Sequence, residues 1–188
     1  LELRMRADRN EVEVVHRVTN TGHWELEFAV WALSVMAPGG TAVVPFADRE
    51  TGLLPNRRLV LWPYTRMNDA RVTWGERAVY LRQRTDAHPF KIGMNNEKGW
   101  AAYANQGYLF VKTHRSVIDG NYPDYGVSFE MYTNGQFLEL ETLSELKRVS
   151  PGETVEHVET WRLFEFAEPD WSDERALIRR IESLLNDD

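Results

Sequence analysis

The stretch FEMYTNGQFLELETL, residues 129–143, decides how the chain is read. Two runs of alternating apolar and polar residues flank Asn134-Gly135, a dipeptide suited to the two positive φ angles of a type I′ hairpin turn. With that pair at the tip, Thr133 faces Gln136, Tyr132 faces Phe137, Met131 faces Leu138 and Glu130 faces Glu139. Side chains alternate along strands, so Glu130, Tyr132, Phe137, Glu139 and Glu141 share one face, and Phe129, Met131, Leu138 and Leu140 the other. Directly opposed like charges destabilise a sheet. Opposed carboxylates repel by about 1 kcal/mol in water and by several at an effective dielectric near 20. A face built this way calls for a compensating cation or proton.

The global numbers narrow the functions open to it. A chain of 188 residues that is 43% hydrophobic can bury a core, and one domain spanning 1–188 is expected. With 22 basic against 29 acidic residues, the net charge of −7 disfavours a nucleic-acid partner. No apolar run approaches the length of a membrane span. There is no cysteine, which removes disulfides and thiolate metal sites and favours a reducing, cytoplasmic setting. The chain opens LELRMR, already patterned as a strand.

Working outward from the hairpin, the punctuation is that of a β protein. EVEVVHRV (11–18) alternates before a Thr-Asn-Thr-Gly turn. FAVWALSVM (28–36) is a nearly continuous apolar run, as expected of a strand buried on both faces. TAVVPF, RLVLWPY, RAVYLRQR, WAAYAN and GYLFVKTH follow, separated by Gly, Pro, Asn and Asp, and SPGE turns into TVEHVETWRLFEF. Many short strands at this spacing predict an all-β antiparallel β-sandwich. The tail differs. Acids near Asp170–Glu174, followed by Leu177, Ile181, Leu184 and Leu185 at helical spacing, predict a C-terminal helix within 170–186, with its core at 172–185.

Motifs for phosphate loops, dinucleotide binding, zinc helices and serine elbows are absent from the sequence. His157 and Glu159 lie two apart on a strand and could ligate a metal only with a third ligand from elsewhere. A solvated strand face is the simpler expectation, and neither metal nor cofactor is expected. What remains is a polar and aromatic set. Tyr108, Phe110, Lys112 and His114 share one strand face, Lys91 sits between Phe90 and Ile92, and Arg57-Arg58 open another strand. Lys112, Lys91 or Arg57 could compensate the glutamates. A wet outer sheet face is the bland alternative. Interleaving with Tyr132, Phe137 and Phe110 favours a lined groove, in which rings stack on sugar C–H faces and charged groups meet hydroxyls.

VTNTGHWELEFAVWALSVMAPGG, LPNRRLVLWPYT, PFKIGMNNEKGWAAY, LFVK, FEMYTN, FLELETL and SPGETVEHVETW, taken in order over about residues 10 to 165, resemble a family of the galactose mutarotase (aldose 1-epimerase) superfamily. The resemblance implies a supersandwich with a carbohydrate-binding groove and a small-molecule sugar as partner. Domains of this kind are longer, so the chain reads as the C-terminal part of the fold or a short relative, and a homo-oligomer that covers exposed edges is expected. In mutarotases a glutamate on a late strand before a Pro-Gly-Glu turn takes the anomeric proton. Glu141, or failing that Glu139, occupies that place. The family's acid is a histidine; in its neighbourhood this chain has Trp31, with Lys112 or His114 as substitutes from another strand. The implied substrate-binding set is Glu130, Glu139, Tyr132, Lys112, Lys91, Arg57, His114 and Trp31. Three readings stand: a carbohydrate-binding protein of mutarotase-like architecture that acts on a free sugar or sugar acid by proton transfer at Glu141, a glycan-binding module with Trp31, Tyr132 and Phe137 as stacking rings, and a structural or interaction domain.

Overall fold

The computed structural model describes residues 1–186. Alternating sequence becomes two antiparallel sheets. The larger orders eight strands as β1 (Glu2–Met5), β2 (Val12–Thr19), β15 (Thr154–Glu165), β11 (Tyr108–His114), β10 (Trp100–Asn105), β5 (Thr41–Pro45), β8 (Ala78–Arg82) and β7 (Val72–Trp74). The smaller orders five: β4 (Trp31–Met36), β13 (Leu138–Leu143), β12 (Phe129–Thr133), β9 (Phe90–Met94) and β6 (Leu59–Leu61). A ribbon of β3 (Leu26–Phe28) and β14 (Lys147–Val149) stands beside them. The expected antiparallel sandwich is therefore the observed one. Long segments at 46–58, 62–71 and 115–128 are not strand, so 11–165 is less uniformly β than the pattern suggested. No described helix is long and apolar enough to cross a membrane.

Between the sheets Phe90, Ile92, Met94, Phe129, Met131, Leu138 and Leu140 from the smaller meet Ala42, Val44, Val79, Leu81, Ala101 and Tyr103 from the larger. Burying each such large side chain contributes about 1.5–3 kcal/mol, so this layer dominates the fold. The far face of the larger sheet packs on the C-terminal helix, Glu174–Asn186, through Leu177, Ile178 and Ile181. Asp173 caps that helix, its carboxylate accepting from Ala176 N at 2.9 Å. The helix starts at Glu174 because Asp170 instead folds Ser172 into a turn, accepting from Ser172 N at 2.9 Å. Glu174 anchors the helix to the sheet, accepting from the backbone N–H groups of Glu76, Arg77 and Ala78, each at 3.0 Å. Gly75 sits where any Cβ would strike that carboxylate.

Two expectations need correction. The hairpin pairs Thr133 with Leu138, Tyr132 with Glu139 and Glu130 with Glu141, two residues out of the expected register. Asn134 is the cause. Its side chain accepts from Gln136 N at 2.7 Å and Phe137 N at 3.2 Å, making a four-residue loop of 134–137 that needs no positive φ. A two-residue slip preserves the faces, so the opposed glutamates become Glu130 and Glu141. Second, FAVWALSVM is not a strand buried on both faces. It breaks at Ala29-Val30, and β4 is an edge strand whose outward Trp31, Leu33 and Val35 are exposed while Ala32 and Ser34 are buried.

Candidate active site on the outer face of the smaller sheet

Register fixes which side chains meet on this face. One row runs Leu33, Glu141, Glu130, Gly93 and Val60; the next runs Val35, Glu139, Tyr132 and Lys91. Opposed residues lie about 5 Å apart at Cβ, which leaves room for one ammonium group between the two carboxyls. Lys91 supplies it. Its Nζ lies 2.7 Å from Oε2 of Glu130 and 2.7 Å from Oε2 of Glu141. Trp31 Nε1 also donates to Glu141 Oε2, at 2.6 Å. Two donors converging on one oxygen is the arrangement a carboxylate accepts.

Aromatic rings close over this triad. The Lys91 ammonium is 4.8 Å from the ring centroids of both Trp31 and Trp62, within cation–π range. Trp62 is placed by the segment after β6: Thr65 Oγ1 accepts from Lys91 N at 3.0 Å and donates to the Lys91 carbonyl, strapping WPYT across β9. Tyr132 and Phe137 lie with centroids 6.0 Å apart at the tip of the hairpin. Glu130 and Glu141 are buried beneath the rings, while Trp31 is 54% exposed. Oε1 of each glutamate has no hydrogen-bond partner among the described residues. Buried polar atoms are almost always satisfied, which makes these two oxygens candidates for contact with a polar ligand.

The site also separates its acids. Burial pushes Glu130 up to about 8; hydrogen bonding from Lys91 opposes this, while Asp124 and Glu141 add to it. Near neutrality Glu130 therefore keeps its proton and can donate. Burial, then the charge of Glu141, also raises Glu139. Burial draws Lys91 down, but its bonds to Glu130 and Glu141 prevail and the net direction is up, so it stays charged. Burial raises the phenol of Tyr64, with Tyr132, Glu141 and Glu130 contributing, which places that ring in the same field.

The predicted site residues divide. Glu130, Glu139, Glu141, Tyr132, Lys91 and Trp31 come together on this face. Lys112 and His114 do not, because their strand face turns inward, between the sheets. Lys112 Nζ sits 2.6 Å from Glu159 Oε1 and donates at 3.0 Å to the carbonyls of Ala32 and Leu140 and to Ser34 Oγ. Arg57 is elsewhere too, over the Phe46 ring at 4.4 Å, donating to the Glu76 carbonyl at 2.8 Å. His157 and Glu159 are buried rather than on a solvated face. Glu159 accepts from Lys112, Thr142 and Trp161, and Thr142 Oγ1 lies 2.8 Å from His157 Nε2. Burial pushes Glu159 up, but His16, Lys112 and Thr142 hold it down at about 2. Among the described residues no three such groups are placed to hold a metal. Trp62, Tyr64 and Asp124 were missed. The WPY segment carried the first two in plain sight, but only the strap at Thr65 directs them to the glutamates.

No protein-family model and no curated protein matches the sequence. Among solved structures, the Slr1438 protein from Synechocystis sp. PCC 6803 aligns with a TM-score of 0.52 at 9% identity, over 87% of this chain and 53% of that one. That likeness is one of fold. A structure named "Putative aldose 1-epimerase", from Escherichia coli K12, aligns with a TM-score of 0.47 at 13% identity, over 84% of this chain and 57% of that one. The chain thus spans a little over half the length of each. At such identities the likeness concerns architecture, and chemistry must be argued from the side chains.

Proposed function

We propose that this face binds a free sugar and interconverts its anomers, with Glu141 as base and Glu130 as acid. One observation carries the reading: two opposed, buried carboxyls share one ammonium, and one of them holds its proton up to about pH 8. Different environments for paired carboxyls are how one site supplies both an acid and a base. Glu141 removes the proton from the anomeric hydroxyl as Glu130 protonates the ring oxygen. The C1–O5 bond breaks, and the hydroxyl becomes the aldehyde carbonyl. Rotation about C1–C2 presents the other face, and the reverse transfers close the ring with both protons returned. Glu130 thus takes the role that the resemblance assigns to a histidine. Trp31, Trp62 and Tyr132 offer rings to the sugar's C–H face.

Polarimetry on fresh α-glucose and α-galactose tests this, with wild type, Glu141→Gln and Glu130→Gln side by side. Loss of either proton-transfer group should lower kcat by about 100-fold or more. Wild-type rate should fall as pH rises through about 8, where Glu130 loses its proton. Unchanged rates in both variants would overturn the assignment. The exposed Trp31, Leu33 and Val35 beside the acids favour a second reading, a glycan-binding face without catalysis. Calorimetric binding with no wild-type interconversion would select it.

A further inference from the structure

A cavity of about 190 Å³ opens beside the glutamate face, at the end of the smaller sheet. Arg58, Asn95 and Ser128 line it, and each lies two residues from a member of the Glu130 row: Val60, Gly93 and Glu130 itself. One two-residue strand step is about 7 Å, a separation that a single sugar with one substituent spans.

The charge lining this cavity is unbalanced. Arg49, Arg57 and Arg58 face Glu97 and Asp119. Arg49 is already matched, 3.3 Å from Glu97 and 3.6 Å from Asp119. Arg57 and Arg58 donate to carbonyls, those of Glu76 at 2.8 Å and Gly126 at 2.5 Å, and neither forms an ion pair with a carboxylate among the described residues. Two guanidinium groups without a carboxylate partner among the described residues thus line one polar cavity. Their free N–H groups form the planar fork that phosphate and carboxylate accept.

The backbone around the cavity is held in an uncommon conformation. Asp119, Asp124 and Tyr125 have φ of 55, 48 and 63°, three of the four described non-glycine residues with positive φ. Gly126 follows at 86°. This left-handed run turns the Gly126 carbonyl onto Arg58, where any Cβ would collide with the guanidinium. Strain of this kind gathers at ligand-binding segments. Here it fixes the fork of Arg58 and sets Asp124 against Glu130.

We propose that this cavity receives the anionic group, phosphate or carboxylate, of a sugar whose anomeric end reaches Glu130 and Glu141, so that the substrate class is a sugar phosphate or sugar acid. The placement of the anomeric end rests on the proton-transfer reading above; the anion site itself does not.

The test separates the two. Inorganic phosphate is titrated into ¹⁵N-labelled protein, and the amides of Gly120, Gly126 and Ser128 should shift. Arg58→Gln and Arg57→Gln should each weaken that binding by about tenfold, as expected for lost charged hydrogen bonds. Should Arg58→Gln fold poorly by circular dichroism, Arg57→Gln decides, because it leaves the Gly126 contact intact. Calorimetry with glucose, glucose 6-phosphate and glucuronate then identifies the class. An anionic sugar should bind at least tenfold tighter than glucose and lose that advantage in the arginine variants, the preferred anion separating phosphate from carboxylate. Equal binding of all three sugars, with no phosphate-induced shifts, overturns the cavity assignment and leaves Glu141 untouched. Phosphate binding that depends on Arg57 and Arg58, with no effect of Glu141→Gln on interconversion, upholds the anion site and overturns the proton-transfer reading.

Discussion

Replacing Lys91 by Met keeps the length of the stem and removes the one cation between Glu130 and Glu141. The cost follows from the site. Glu130 already holds its proton near neutrality, so the variant leaves a single uncompensated charge at Glu141, whose side chain is 0% exposed. The cheapest escape is for Glu141 to take a proton. Protonating a buried carboxylate costs at most about 1.4 kcal/mol per pH unit above the reference value of a glutamate in an unfolded chain, about 4.3. Near pH 7.5 the limit is about 4 kcal/mol, comparable with the loss on breaking a buried pair, and near pH 5 it falls below about 1 kcal/mol. Lost stem packing and cation–π contact add a further, pH-independent amount. Urea denaturation of wild type and Lys91→Met at both pH values measures the two differences, which should differ by about 3 kcal/mol. For a chain of this size that corresponds to about 6–12 °C in Tm. A stability loss equal at the two pH values would refute the claim that Lys91 neutralises a buried carboxylate.

Two further outcomes are expected. Burial, with His157 and Lys112 nearby, depresses His114 to about 3, and burial holds His157 at about 4 despite Glu159. Their unfolded forms bind protons first, so the stability they contribute is complete above about pH 6.5 and is lost as pH falls toward those values. Glu130 runs the other way, its raised value favouring the folded state as pH drops from about 8. His114→Phe isolates the histidine's share: urea melts between pH 7 and pH 4.5 should show a shallower acid decline, and a decline as steep as wild type's would remove His114 as its source. Both ring nitrogens of His114 lack hydrogen-bond partners among the described residues, so this variant should also gain about 1–3 kcal/mol near pH 5. Separately, Glu174→Ala deprives three backbone N–H groups of their acceptor. It should cost about 1–2 kcal/mol and speed hydrogen exchange in 174–186 more than in β10; uniform exchange would count against an anchoring role.

How much of this was legible in the sequence depended on which rule each residue obeyed. Period-two alternation sorted Glu130, Tyr132, Glu139 and Glu141 from Phe129, Met131, Leu138 and Leu140 correctly, and that sorting survived an error in register because a slip of two keeps every face. Asn134-Gly135 signalled a turn but not its type. The deciding event was a side-chain oxygen capping two backbone N–H groups, and Asn permits either outcome. The C-terminal helix was legible from its apolar spacing; the carboxylate that docks it, Glu174, was not, since its partners lie about a hundred positions earlier.

Alternation says that two faces differ, never which of them turns inward. That is why Lys112 and His114 were expected beside the glutamates. On β12 and β13 the polar set is the outer one, because the apolar set is large enough to fill the space between the sheets. On β11 the alternate set, Leu109 and Val111, is equally apolar, yet it packs on the C-terminal helix. With a helix covering the far face, both sides of β11 are interior, and the polar side survives there only as a closed network. Lys112 meets Glu159, and Glu159 meets Thr142 and Trp161. Such a network is tolerated when its members are paired and is expensive when one is removed. Lys112→Met should therefore destabilise the protein by about 3–5 kcal/mol, while Lys112→Met combined with Glu159→Gln should recover much of that loss, since removal of both charges leaves none unpaired. Chemical denaturation of the two variants distinguishes this from a role in the site: if the double variant is no more stable than the single, Lys112 is not held there by Glu159, and the face on which it sits must be reassigned.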